Sequence, residues 1–154
     1  MNLTARKYTL KIFNLIAESL HLKYSKKSPE LLQHWIEDEI GSVPFIALVN
    51  MTSTVNGQFI VFNCRFVSST TLEFDPTDEE KEEAEERAEA QAMSFVRMVE
   101  EVPAVELSNI SVTETFRDQT FEGVGKGLSF DFSVLDVQNY CEDNIPNFND
   151  LLCP

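Results

Sequence analysis

Along residues 3–24, Leu3, Tyr8, Ile12, Leu15, Ile16 and Leu20 recur at helical spacing, with Lys7, Lys11, Asn14 and Glu18 elsewhere on the turn. That pattern predicts an amphipathic helix with one face toward a core. A break follows at Ser25-Lys26-Lys27. Ser28-Pro29-Glu30 then offers an N-cap, a first-turn proline and an early acid, and Leu31, Leu32, Trp35, Ile36 and Ile40 make the stripe of a second helix ending near Gly41. From residue 43 to 51 the pattern changes to a β-rich run, answered by another over 58–67. Asn56-Gly57 between them is a hairpin signal, because both residues tolerate positive φ.

Either Asp75 followed by Pro76, or Thr77 with Glu80, starts a long helix that runs to about residue 101, before Pro103. At 1.5 Å per residue it spans about 35 Å. Its stripe is Ala84, Ala88, Ala92, Phe95, Val99 and Val102. The alanine half permits close approach and buries little; the later half, with Phe95, Val96 and Val99, is the main core contact. Two strands follow. Residues 106–116 alternate imperfectly. Residues 128–137 alternate cleanly, with Leu128, Phe130, Phe132 and Val134 on one face and Ser129, Asp131 and Ser133 on the other. The expected fold is α+β: N-terminal helices, a long β-hairpin, a long helix and two further antiparallel strands, all in one sheet packed by helices. It divides into a helical segment over 1–40, a core domain over 41–140 and a C-terminal arm over 141–154.

The chain has 154 residues, 43% apolar and 25% charged, which suits a soluble domain with a real core. Twenty-six Asp and Glu oppose 12 Lys and Arg, a formal charge of −14. A surface of that sign repels a phosphate backbone and anionic membrane. The layout is uneven: six bases and one acid lie in residues 1–27, and every other acid lies beyond them. The basic segment is Arg6, Lys7, Lys11, Lys23, Lys26 and Lys27, and the acidic face of the long helix is Glu79, Glu82, Glu83, Glu86 and Glu89. Such a dipolar layout suits head-to-tail association, with charge setting register more than affinity. The hairpin tip, Asn56 and Gly57, is a further candidate contact.

Candidate chemistry changes this picture little. Gly123-Val124-Gly125-Lys126-Gly127 lacks the spacing of a phosphate loop and a Ser or Thr after its lysine, so its glycines read as a flexible entry into a strand. His21 and His34 have no partners at zinc-site spacing. Cys64 reads as a small core residue; a Cys64 or Cys141 nucleophile would need a histidine brought to it in space. Cys141 and Cys153 are close enough in sequence to bridge, yet without a secretory signal reduced thiols are expected. No metal, no cofactor and no catalytic residue is expected. There is no apolar run long enough for a membrane span.

Glu114-Thr115-Phe116-Arg117-Asp118, a glycine-containing loop, and Leu128-Ser129-Phe130-Asp131-Phe132-Ser133, with an ending over residues 136–146, form a pattern that resembles small tail proteins of tailed bacteriophages. The element order is similar to that of their neck and tail ring subunits: tail terminators, tail-completion proteins and head–tail joining proteins. The basic first helix, the acidic segment over 78–89 and the arm over 147–154 depart from that pattern. The resemblance implies a non-enzymatic virion subunit at the neck or tail, made in the bacterial cytoplasm. Six or twelve copies would form a ring around the DNA channel and join adjacent portal, neck or tail proteins. DNA would pass through without specific binding, with no membrane involved. The competing reading is an acidic DNA mimic that occupies the groove of a basic nucleic-acid-binding partner. A third is a small enzyme or ligand-binding domain with a pocket near Cys64 or Trp35.

Overall fold

The computed structural model describes residues 2–26, 44–70, 77–103, 105–113, 125–135 and 140–141. The expected helix over 28–40, Trp35, His34, Lys27, Cys153 and most of the C-terminal arm lie outside these residues. A short strand β1 (Asn2–Leu3) leads into helix α1 (Ala5–Ser19). Thr4 caps that helix by accepting the Lys7 amide at 3.2 Å. Strand β2 (Lys23–Lys26), the hairpin strands β3 (Phe45–Asn56) and β4 (Phe59–Ser69), helix α2 (Asp78–Glu100), and strands β5 (Val105–Val112), β6 (Gly125–Leu135) and β7 (Tyr140–Cys141) complete the order. The protein is α+β, with a mixed five-stranded sheet in the order β2-β3-β4-β6-β5. Only β2 and β3 run parallel; the other neighbours are antiparallel. The start of the C-terminal arm is tied back, because β7 pairs with β1.

Helix α1 and helix α2 cover one face of the sheet. Ile12, Phe13 and Ile16 of α1 and Phe95, Val96 and Val99 of α2 meet Ile46, Leu48, Phe62, Cys64, Phe66, Leu128, Phe130 and Phe132. The clean alternation of β6 is realised: Leu128, Phe130, Phe132 and Val134 are all buried. β5 alternates poorly for a local reason. Its register shifts between Ser108 and Ser111, and Asn109 takes a left-handed φ of 52°, so the strand turns one residue out of phase there.

The hairpin forms, one residue later than the Asn56-Gly57 signal places it. Asn56 pairs with Phe59, so Gly57 and Gln58 make the two-residue loop. Only Gly57 has positive φ (62°) there, the pattern of a II′-type turn with glycine first.

The N-terminal helix ends earlier than its apolar spacing predicts. Leu22 N–H bonds to Ala17 O at 2.9 Å and His21 N–H to Glu18 O at 3.0 Å, the pair of bonds that closes a helix in a Schellman motif. His21 fills the left-handed position with φ 59°, where glycine is the usual residue. Lys23–Lys26 then becomes the parallel edge strand β2 instead of a last helical turn. Because a Cβ in this conformation costs roughly 1 kcal/mol, His21→Gly should stabilise the fold by about that much, and raise Tm by about 3 °C in a thermal melt.

The N-cap of α2 is Thr77, whose hydroxyl accepts the Glu80 amide at 3.2 Å. The alanines Ala84, Ala88 and Ala92 are fully buried. They bring the helix backbone close enough for the sheet to bond to it. Ser68 Oγ donates to Ala88 O (2.9 Å) and Thr70 Oγ1 to Ala84 O (3.0 Å). Gln91 Nε2 lies within bonding distance of Phe45 O, Ser68 Oγ and Ser69 O. The glycine-rich run expected as a flexible entry is itself strand from Gly125 onward, and Gly123 and Val124 lie outside the described residues. Lys126 is nearly buried there, 4.0 Å from Glu85 of α2.

Candidate functional site

The sequence-derived candidates fall on two separate surfaces. Arg6, Lys7 and Lys11 are exposed on α1, and Lys23 and Lys26 are exposed at the two ends of β2. α1 packs against both β2 and α2, and its Phe13 meets Phe66 of β4 and Phe130 and Phe132 of β6. Glu79, Glu82, Glu83, Glu86 and Glu89 are all exposed on α2, which packs across β4, β6 and β5. The periodicity puts Glu79, Glu82, Glu83 and Glu86 on one stripe of that helix. The half of α2 that carries them lies over the end of β4, where Thr70 and Ser68 bond the Ala84 and Ala88 carbonyls and Gln91 reaches Phe45 O of β3, the residue paired with Lys23. Asn56 and Gly57 are exposed at the hairpin end, with Val55 (70% exposed) and Phe59 (42%) beside them.

Sequence reasoning missed the state of the sheet edges. β2 pairs with β3 only along residues 45–48. Among the described residues no strand pairs with the outer side of β3 over 49–56, nor with the outer side of β5. The β3 stretch reads Val-Asn-Met-Thr-Ser-Thr-Val-Asn, with no charge and no proline. Charged residues, prolines and very short length are the usual means of keeping an edge from pairing with another chain. This edge has none of these three, and a register shift lies at its start, between Leu48 and Asn50. The signal for it was present in the composition of the run, but its meaning depends on which strand lies outermost.

The sheet face turned away from the helices carries a polar row. Asp131 on β6 accepts Asn63 Nδ2 from β4 at 2.8 Å and Asn109 Nδ2 from β5 at 2.7 Å. Two amide donors hold this carboxylate in place across three strands, and the left-handed turn at Asn109 is what aims its side chain inward.

Cys64 is buried beneath α1 and its thiol lies 3.6 Å from Phe62 O. Burial pushes its pKa up from 9.0 to about 12; the Asp131 charge adds to the rise and Arg6 opposes it. A thiol so held stays protonated and unreactive at neutral pH. Nearby Tyr24 has its hydroxyl buried without a hydrogen-bond partner among the described residues, and burial raises its pKa as well. Tyr24→Phe removes an unsatisfied hydroxyl and should leave stability unchanged or higher by about 1 kcal/mol in urea titration.

The raised thiol pKa also sets a pH dependence. The unfolded thiol loses its proton near pH 9, whereas the folded one keeps it to about pH 12. Over that window the unfolded state binds fewer protons, so stability falls as pH rises and is complete below pH 9. Urea midpoints measured from pH 8 to 11 should drop, and Cys64→Ala should flatten part of that drop.

Among the described residues no three His, Cys, Asp or Glu side chains are grouped to hold a metal ion, and no helix is long and apolar enough to cross a membrane.

No family model, curated protein or solved structure matches the chain. The reading of function therefore rests on the surfaces described above and on the sequence pattern of its second half.

Proposed function

We infer that this chain is a non-enzymatic structural subunit that associates with copies of itself into a closed ring at the neck or tail of a bacteriophage particle. The observation that carries this reading is the pair of sheet edges on opposite sides of one subunit, β3 over 49–56 and β5, that no strand among the described residues covers. An interface made from two different surfaces repeats from copy to copy, and closes into a ring when the rotation allows. The phage-like pattern over Glu114-Thr115-Phe116-Arg117-Asp118 and residues 128–133 supports the setting. In that setting the exposed acids of α2 would line the DNA path and repel the duplex, so that it slides through without being held.

Mass photometry and negative-stain microscopy of the purified full chain test this directly. Annular particles of six or twelve copies are expected. A strict monomer at high concentration overturns the reading. Changing Glu79, Glu82, Glu83, Glu86 and Glu89 together to Gln should leave the ring intact and slow DNA passage in the assembled particle. Unchanged packaging and ejection would remove the lumen role.

A further inference from the structure

The two edges that no strand among the described residues covers lie at the same height in the sheet. Followed across the strands, Val105 of β5 is level with Val134, then Ile60, then Val55 of β3. At the other end Val112 is level with Leu128, Phe66 and Leu48. β5, with 8 residues, therefore spans the same levels as the part of β3 that β2 leaves uncovered. The two strands also run in opposite directions, because β3, β4, β6 and β5 are joined by three successive antiparallel pairings. Each strand carries one register shift, between Leu48 and Asn50 in β3 and between Ser108 and Ser111 in β5, and both shifts fall toward the same end.

From this coincidence we propose that the outer edge of β3 over residues 49–56 pairs antiparallel with the outer edge of β5 in a second copy of this chain. A neighbour in the same orientation, moved sideways with no axial displacement, presents β5 to the step left beside β2. Absence of an axial rise is what a planar ring requires; a rise would give a helical filament. Backbone hydrogen bonds supply the ladder, as in other strand-addition interfaces.

Ring closure selects this occupant. Two β3 edges brought together would make an isologous pair that stops at a dimer, whereas β3 against β5 leaves an edge on each copy for the next one. The inference rests on the ring-subunit reading and specifies its contact.

In the proposed register Thr52 of one copy faces Ser108 of the next, since both are level with Asn63 and Asp131. Residues directly opposite in an antiparallel pair have Cα atoms about 5 Å apart, within reach of a disulfide. Within one chain the same two positions are separated by three strand spacings, roughly 14 Å, and cannot bridge. A full-length variant with Thr52→Cys and Ser108→Cys, and with Cys141→Ser and Cys153→Ser, is oxidised under mild conditions. Non-reducing electrophoresis should show a ladder ending at the closed ring. Thr54→Cys with Ser111→Cys, out of register, should not form it. Oligomers seen by mass photometry without the in-register bridge overturn this interface and leave the ring reading standing. A monomer throughout, with circular dichroism showing a folded chain, overturns both.

Discussion

Phe13→Ala is expected to remove about 3–5 kcal/mol of stability, a large share of the roughly 5–15 kcal/mol that holds an ordinary domain together. Phe13 is fully buried at the centre of the helix face. Its ring lies 5.2 Å from Phe66, 5.5 Å from Phe132, 5.8 Å from Phe95 and 5.9 Å from Phe130. Those partners come from β4, β6 and α2, so one side chain ties α1 to every other layer. Three of the four ring pairs involving it are edge-on or close to it (80°, 80° and 71°), the geometry aromatic quadrupoles favour. Alanine leaves a cavity that four rigid rings cannot collapse to fill. Urea unfolding followed by circular dichroism should show a much lower midpoint, with Phe13→Leu in between. Phe59→Ala, at the exposed hairpin end, should change stability by no more than about 0.5 kcal/mol. Equal effects at the two sites would refute the central role given to Phe13.

The second large effect is expected at Ala88, where nothing needs to be removed. Ala88→Leu should cost about 3 kcal/mol, combining overpacking with the loss of buried hydrogen bonds. Ala88 has no exposed surface, and its carbonyl accepts the Ser68 hydroxyl. A larger side chain there must lift α2 from β4. That would strand Ser68 and part the bonds of Thr70 and Gln91 to their partners on the other side of the same seam. Ala90→Leu, two residues further on and on the exposed face, should be neutral or slightly favourable, because leucine is a good helix former. Comparing the two in chemical denaturation isolates close approach from helix propensity. A similar small effect for both would mean that the alanine seam has slack.

These two sites also show how unevenly the fold could be read. The alanine stripe and the apolar second half of α2 are visible as a spacing pattern, and so is the burial of Phe13 beside Ile12 and Ile16. What the polar residues do at that seam is not visible. Ser68, Thr70 and Gln91 look like ordinary surface residues until the helix backbone is placed against them. β2 escaped notice for a related reason. Lys-Tyr-Ser-Lys has one large apolar side chain and no usable period, and its partner β3 begins well beyond it in the chain. The early end of α1 was hidden because histidine, not glycine, occupies the left-handed position.

The candidate surfaces divide in the same way. The clustering of bases and acids along the chain is a matter of counting, and the sequence by itself determined it, together with Thr77 as one of two candidate caps of α2, the hairpin and the inward face of β6. Those features depend on residues within a few positions of one another, where spacing and side-chain chemistry decide the outcome. Only the tertiary structure decided which strands became edges, that the acidic half of α2 lies over the end of β4, and that β3 and β5 end up level and antiparallel. These follow from sheet order and accumulated register. Each is set by pairings between distant segments, to which both bulges and the placement of β2 contribute, and no local pattern records their sum.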